Sequence, residues 1–492
     1  MKHQERVTLA NKALTNPALT ITEDRYRLQY HLMPPIGWMN DPNGLIYRNG
    51  EYHVFYQHYP YAPKQGPMYW GHAKSADLIS WEHLPIALAP SEPYDFVEDG
   101  TGGGCWSGSA AEQDGTFILI YTGHVDGKSP EEVQCLATSE DGIHFEKAAF
   151  NPVIDSPPED GGFGFRDPKV WKHGDIWNMV IGYGKDGKGK ALFYQSADLW
   201  KWNYVSVAAE SDGTMGNMWE CPDLFPLGDG DRHVLIISPM NMGETKTMYL
   251  SGMFDYSSGV LQAEYAERLD YGFDFYAPQT LLDDQGRRIL IGWMNIWGSS
   301  MPEKEDRWMG AMTIPREVKA LNDGTIRMEP VAELMALRRN HYIVAPQVIL
   351  ADSILSLPDI QGDSLEMIAV FEVNESNTDA EFGIRVRCSQ DNLEYTEVCY
   401  QASEKKLLVD RNHSGSGDGG ISEASLEPMG NGSLKLHLFI DKSSLELFAN
   451  EGVKTITNRI YPDSPSLGIH LFSRKGNAVL QSLDVWELDS IW

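Results

Sequence analysis

Apolar runs of strand length punctuate the first 330 residues, and they recur at a fixed interval. Tyr52–Tyr56, Thr116–Tyr121, Val234–Ile237 and Arg288–Ile291 are each rich in β-branched and aromatic residues and bounded by polar turns. Each belongs to one layout: a polar turn, an apolar strand, a glycine-marked hairpin and a second apolar strand. The copies begin at Asp41-Pro42-Asn43-Gly44, Trp106-Ser107-Gly108-Ser109, Arg166-Asp167-Pro168-Lys169, Glu220-Cys221-Pro222-Asp223 and Tyr276-Ala277-Pro278-Gln279. Their hairpin glycines, Gly50, Gly115, Gly174, Gly230 and Gly286, are 65, 59, 56 and 56 residues apart. A second echo follows each of the first three hairpins. Ser75-Ala76-Asp77-Leu78-Ile79-Ser80-Trp81 returns as 139–145 and as 196–202, and reads as a turn into an outer strand.

A repeat of this length with about four strands makes one blade of a β-propeller, and five such units close a ring. The predicted architecture is therefore all-β: a five-bladed β-propeller over 31–328, preceded by a partly helical extension over 1–30. Residues 329–341 read as a short helical connector, within a linker spanning 329–344. Beyond it, segments 366–373, 381–388, 395–400, 434–440, 444–449 and 478–486 predict a β-sandwich over 345–492. The run Ser414-Gly415-Ser416-Gly417-Asp418-Gly419-Gly420 breaks that pattern as a turn or link.

Composition narrows the class. At 492 residues the chain exceeds one ordinary core, so two domains are expected. Forty basic against seventy acidic side chains leave a formal charge of −30, which argues against nucleic acid and anionic membrane as partners. The five cysteines, 105, 135, 221, 388 and 399, are scattered with no Cys-x-x-Cys pair, so neither a disulfide framework nor a zinc site is expected. Residues 1–30 carry nothing like a signal sequence and no apolar run reaches membrane-spanning length. The simplest reading is a reduced, cytoplasmic protein, monomer or homodimer.

In a propeller the leading ends of the innermost strands meet at the mouth of a central funnel. Here those ends carry Asp41, Asp167 and Glu220. Taken singly, Asp41-Pro42-Asn43-Gly44 is ordinary turn chemistry and Arg166-Asp167 an ordinary ion pair. Taken together, the three acids fall at one phase of the repeat. Carboxyls so gathered repel one another and raise the pKa of the least solvated, which suits splitting a glycosidic bond. Asp41 sits in a tight turn whose N–H groups would keep it ionised as the nucleophile. Glu220, between Trp219 and Cys221, would stay protonated as the acid/base. Asp167, beside Arg166, would remain charged and clamp sugar hydroxyls. Cys221 is expected to be a small packing residue that modulates Glu220.

The blocks Trp38-Met39-Asn40-Asp41-Pro42-Asn43-Gly44, Phe165-Arg166-Asp167-Pro168-Lys169 and Trp219-Glu220-Cys221-Pro222-Asp223 resemble the three signature blocks of glycoside hydrolase family 32, the β-fructofuranosidases. The resemblance extends through Trp106–Ala110 and Asp274–Gln279 into the terminal domain. It implies a propeller followed by a sandwich, and a retaining mechanism without cofactor or metal. It further implies Asp41 as nucleophile, Glu220 as acid/base and Asp167 as a transition-state stabiliser. The fructosyl pocket would include Trp38, Met39, Asn40, Gln57, Trp70, Trp106, Ser107, Arg166, Tyr276 and Trp293. Retention implies carboxyls of Asp41 and Glu220 about 5–5.5 Å apart. The implied substrates are sucrose, sucrose 6-phosphate or short fructans. Many members carry Trp where this chain has Gln65, and Lys64, Lys304 and Arg307 are candidates to meet a phosphate.

Overall fold

A computed structural model describes residues 1–492 apart from 22, 99–101, 229–230, 243–245, 322 and 374–377. The hairpin glycine expected at Gly230 lies outside the described residues. The other four, Gly50, Gly115, Gly174 and Gly286, all take positive φ, as tight hairpins require.

Each repeat folds into an antiparallel sheet of four strands in sequence order. The first strands are Gly37–Arg48, Gly104–Gln113, Phe163–His173, Met218–Pro226 and Tyr276–Leu282. Each packs against the first strand of the next sheet, and the fifth returns to the first, so the five lie around one axis. Closure is made by backbone: Trp308–Met309 adds to the first sheet parallel to Gly37–Trp38. Buried apolar clusters fill the gaps between successive sheets, for example Phe55, Trp70, Phe117 and Tyr121 between the first and second. Residues 75–81, 139–145 and 196–202 each connect a third strand to a fourth, as expected. In all three the aspartate accepts two backbone N–H bonds and the hydroxyl of the serine two residues before it, and the next residue (Leu78, Gly142 or Leu199) is left-handed.

The second domain stacks a sheet containing Leu365–Glu372, Ser433–Asp441 and Ala478–Leu488 on one containing Glu381–Cys388, Thr396–Gln401 and Gly468–Arg474, around a single apolar core. The connector differs from expectation. Only Ala332–Leu337 is helical, a 3-10 turn, and Arg338–Val344 is already a strand paired with the last strand of the sandwich. Its register places Tyr342 and Val344 on the sandwich core, which outweighs the weak helical pattern of the sequence. The helix His3–Leu14 packs on the propeller rim, where Gln4 donates to Phe145 O and Asn11 accepts from Ile86 N–H.

The two domains meet through buried charge. His31 lies between Asp441 (2.8 Å) and Glu446 (2.9 Å), while Arg316 bridges Asp270 and Glu446. Arg411 pairs with Asp274, and Arg459 approaches Glu303 at 3.4 Å.

Candidate active site

All five first strands break register at the same place: between residues 39 and 42, 106 and 108, 166 and 169, 220 and 223, and 276 and 279. Four of these breaks contain a proline (42, 168, 222, 278), which cannot donate to the ladder. The resulting bulges re-aim side chains toward the axis. Asp167, Cys221 and Ala277 pay for this with positive φ of 65°, 47° and 48°.

The bulges sort the acids into two tiers. Asp41, Ser107, Asp167, Cys221 and Ala277 hold the equivalent deep position. Asn40, Trp106, Arg166, Glu220 and Tyr276 stand one residue earlier and form the upper tier. The three acids therefore do not share one phase, as the sequence suggested: Glu220 is aligned with Arg166, not with Asp167. Two residues below the deep tier comes a third ring of polar side chains, Asn43, Ser109, Lys169, Asp223 and Gln279, all buried. Ser109 donates to Pro168 O of the next sheet and Gln279 to Gly108 O across the axis, which ties the sheets together beneath the site.

The upper tiers enclose a cavity of about 390 Å³, within the roughly 300–1,000 Å³ of small-ligand sites. Asp41 is 8% exposed and Asp167 5%. Ser107 Oγ donates to Asp41 Oδ2 at 2.7 Å and Asn40 Nδ2 to Oδ1 at 3.1 Å; Trp38 Nε1 in turn fixes Asn40. Side chains hold this carboxyl, and of the turn N–H groups expected to do so only the residue's own adds to them. Burial raises its pKa, with Glu220 adding to the effect and Ser107 opposing it.

Glu220 does not sit in an apolar flank. Its neighbours Trp219 and Cys221 are buried, but its own carboxyl accepts from Arg166 Nη2 (2.9 Å) and Nε (3.2 Å) and from the Tyr276 hydroxyl. Arg166 is held from its other side by Glu132 at 2.9 Å. Burial disfavours the guanidinium charge, but Glu220, Glu132 and Asp167 more than offset this and its pKa is raised. Asp167 departs from expectation in the opposite sense. Burial pushes its carboxyl up to about 7 despite Arg166, with Glu220 and Asp41 contributing. Its Oδ2 accepts the Cys221 N–H at 2.9 Å. The Cys221 thiol lies 3.5 Å from Asp41 Oδ2 and 3.6 Å from Asp167 Oδ2, so it contacts those two acids and not Glu220. Burial, then Asp167 and Asp41, raise its pKa well above the ordinary thiol value.

Of the residues expected in the pocket, Asn40, Gln57, Trp106, Ser107, Arg166 and Tyr276 line the cavity with the three acids. Trp38, Met39, Trp70 and Trp293 do not. Trp70, Met39 and Trp293 are fully buried behind the wall, and Trp38 braces Asn40 and stacks on Trp297. Trp106 is itself stacked on His124, ring centres 3.6 Å apart. Gln65 lines the cavity, whereas Lys64, Lys304 and Arg307 do not; Arg307 donates to the carbonyls of Ala18 and Thr20. Sequence reasoning missed Met68, Met240, Asn241 and Trp297. A usable signal existed for three of them. The second strand of each hairpin runs back to the rim, so residues at or just past its end border the mouth, as Met240, Asn241 and Trp297 do.

All five cysteines are free and buried, and no helix among the described residues is long and apolar enough to cross a membrane.

Comparison with known proteins accords with this geometry. The N-terminal domain of glycosyl hydrolases family 32 matches residues 31–330, and the family's C-terminal domain matches 333–487. A sucrose-6-phosphate hydrolase of Escherichia coli is 41% identical over 475 residues, covering 93% of this chain and 94% of that protein. A raffinose invertase of Escherichia coli is 39% identical, covering 99% and 100%. Among solved structures, a Bombyx mori GH32 beta-fructofuranosidase superposes with a TM-score of 0.83 at 34% identity, covering 100% of this chain and 99% of that one. A sucrose-6-phosphate hydrolase from Lactobacillus gasseri gives 0.85 at 26% identity, covering 98% and 97%. By matched domains, their order and the β-propeller and β-sandwich that carry them, this chain belongs to glycosyl hydrolases family 32.

Proposed function

We propose that this glycoside hydrolase is a retaining β-fructofuranosidase that releases fructose from sucrose or sucrose 6-phosphate. The observation that carries the reading is the convergence of Asp41, Asp167 and Glu220 on one sugar-sized cavity, each with different partners. Asp41 Oδ attacks the anomeric carbon of the fructosyl unit. The carbon–oxygen bond to the leaving sugar breaks, and Glu220 delivers a proton to the departing oxygen. Glu220 then takes a proton from water, whose oxygen attacks the same carbon and expels Asp41. Ser107 and Asn40 orient the nucleophile, Arg166 and Tyr276 fix Glu220, and Asp167 in its ionised form accepts from fructose hydroxyls.

Among the described lining residues Arg166 is the one cation, and Glu132 and Glu220 both hold it. A 6-phosphate would have to be met from outside that lining. Five unpaired cysteines fit a reducing, cytoplasmic setting.

The test is fructose release by wild type, Asp41→Asn and Glu220→Gln. Each variant is expected to lose at least about 10³-fold in kcat; wild-type rates in both would overturn the assignment. Relative kcat/KM on sucrose, sucrose 6-phosphate, inulin and levan assigns the substrate. NMR of the first-formed fructose should show the β anomer, and inversion would refute the nucleophilic role.

A further inference from the structure

The axial channel has a second chamber. Beneath the polar ring that floors the active site, a cavity of about 290 Å³ opens toward the opposite face of the propeller. All five first strands contribute to its wall, through residues 45–47, 110, 169–173, 223–226 and 280–282. Its charge is the reverse of the chain's. Lys169, Lys172 and Arg288 line it against one carboxylate, Asp223, in a protein whose formal charge is −30. Asp223 is shared: its Oδ2 lies 3.0 Å from Lys169 Nζ and accepts the Thr280 N–H, while its buried Oδ1 has no hydrogen-bond partner. Lys172 is exposed and sits over the Trp177 ring.

Arg288 is left over. Its guanidinium packs on the Phe225 ring at 4.7 Å, its Nη1 reaches only Thr280 Oγ1 at 3.5 Å, and its buried Nε has no partner. Among the described residues no carboxylate pairs with it. A half-buried guanidinium with five N–H groups and one long hydrogen bond shares the single carboxylate Asp223 with Lys169 and is under-compensated, a state that proteins rarely retain without a ligand. Burial lowers its pKa, and the nearby Asp223 only partly opposes this. Low-dielectric walls lined by one sign of charge focus the field on a small ion, and a planar guanidinium matches an oxyanion's paired oxygens.

We infer that this lower chamber is a binding site for a small phosphate-class oxyanion, free or as the ester of a small molecule, held by Arg288 with Lys172 at the mouth.

Calorimetric titration of the full-length protein with inorganic phosphate tests it. Wild type should bind with Kd of about 1 mM or tighter, and Arg288→Gln should weaken binding at least about tenfold. Leu282→Glu is the second variant, because Leu282 is 54% exposed at the chamber's edge and its replacement adds a repelling charge without touching the core. It too should weaken binding. Both variants should hydrolyse sucrose in phosphate-free buffer at the wild-type rate. No binding by wild type up to about 20 mM phosphate, or a folded Arg288→Gln that binds as wild type does, would overturn the site; should Arg288→Gln fail to fold, undiminished binding by Leu282→Glu would do the same. Glycerol 3-phosphate in place of phosphate separates the sources: tighter binding identifies an ester, weaker binding the free ion.

Discussion

Asp41, Asp167 and Glu220 are chemically alike, and their partners make them different. Asp41 receives the Ser107 hydroxyl and the Asn40 amide, Glu220 receives a guanidinium and a phenol, and Asp167 receives one backbone N–H, with the Cys221 thiol set between the two aspartates. If Glu220 protonates the leaving oxygen, Glu220→Gln should regain activity on fructosides with good leaving groups, while Asp41→Asn stays inert on all of them. Equal losses across leaving groups would exchange or abolish the roles. Asp167 supplies a prediction about stability. Its folded pKa is raised from 3.8 to about 7, so between those values the folded state binds the proton that the unfolded chain has released. Its contribution to stability therefore falls as pH rises from about 4 to about 7 and is constant above. Asp167→Asn removes that penalty. The variant should be more stable than wild type by roughly 1–4 kcal/mol at pH 8 and equal to it below pH 4, as read by denaturant unfolding. A difference independent of pH would contradict the burial of an acid at this position.

At the level of the strand, function rests on one device used five times, a register break that turns side chains into the channel. Its proline was legible as turn chemistry, and that is why the sequence pointed to the right segments. The off-by-one placement of Glu220 was not legible, because alternation along a regular strand gives no warning that a bulge resets which side chains face inward. The same reset explains the pocket tryptophans. Trp70 and Trp293 sit on second and third strands behind the wall, and an aromatic strand residue packs between sheets as readily as it meets a sugar. The outer turns are the complementary case, since composition alone specifies them. Asp198 closes its turn by accepting from Trp200 N–H, Lys201 N–H and Ser196 Oγ. Asp198→Ala should cost about 1 kcal/mol at neutral pH. These bonds depress the carboxyl's pKa, so the stability it supplies is present above 3.8 and lost as pH falls through the lowered value. The difference between variant and wild type should shrink accordingly in acid; a constant gap would mean the aspartate acts through something other than its charge.

For the molecule as a whole, the domain interface is the feature that the sequence hid. His31, Asp270, Arg316, Asp441, Glu446 and Arg459 are far apart in the chain, and no local pattern marks them as partners. Both ring nitrogens of His31 face carboxylates, so the doubly protonated form is favoured. Burial opposes that charge, but Asp441 and Glu446 prevail and the pKa is raised above 6.5. The stability this contributes is fully present below pH 6.5 and lost as pH rises through the folded value. Wild type should therefore melt at progressively lower temperature above neutrality. His31→Gln should melt lower at pH 6 and show a flatter profile from pH 6 to 9. An unchanged slope would place the pH dependence elsewhere.

The strip Trp308–Met309 that zips onto Gly37–Trp38 has a temporal meaning. Asp41 lies three residues beyond Trp38, so the strand of the proposed nucleophile lacks its parallel neighbour until residue 309 has been synthesised. A nascent chain shorter than that holds all three acids yet has an open ring. The contact that joins the two ends of the circle is thus among the last that synthesis of the propeller makes available.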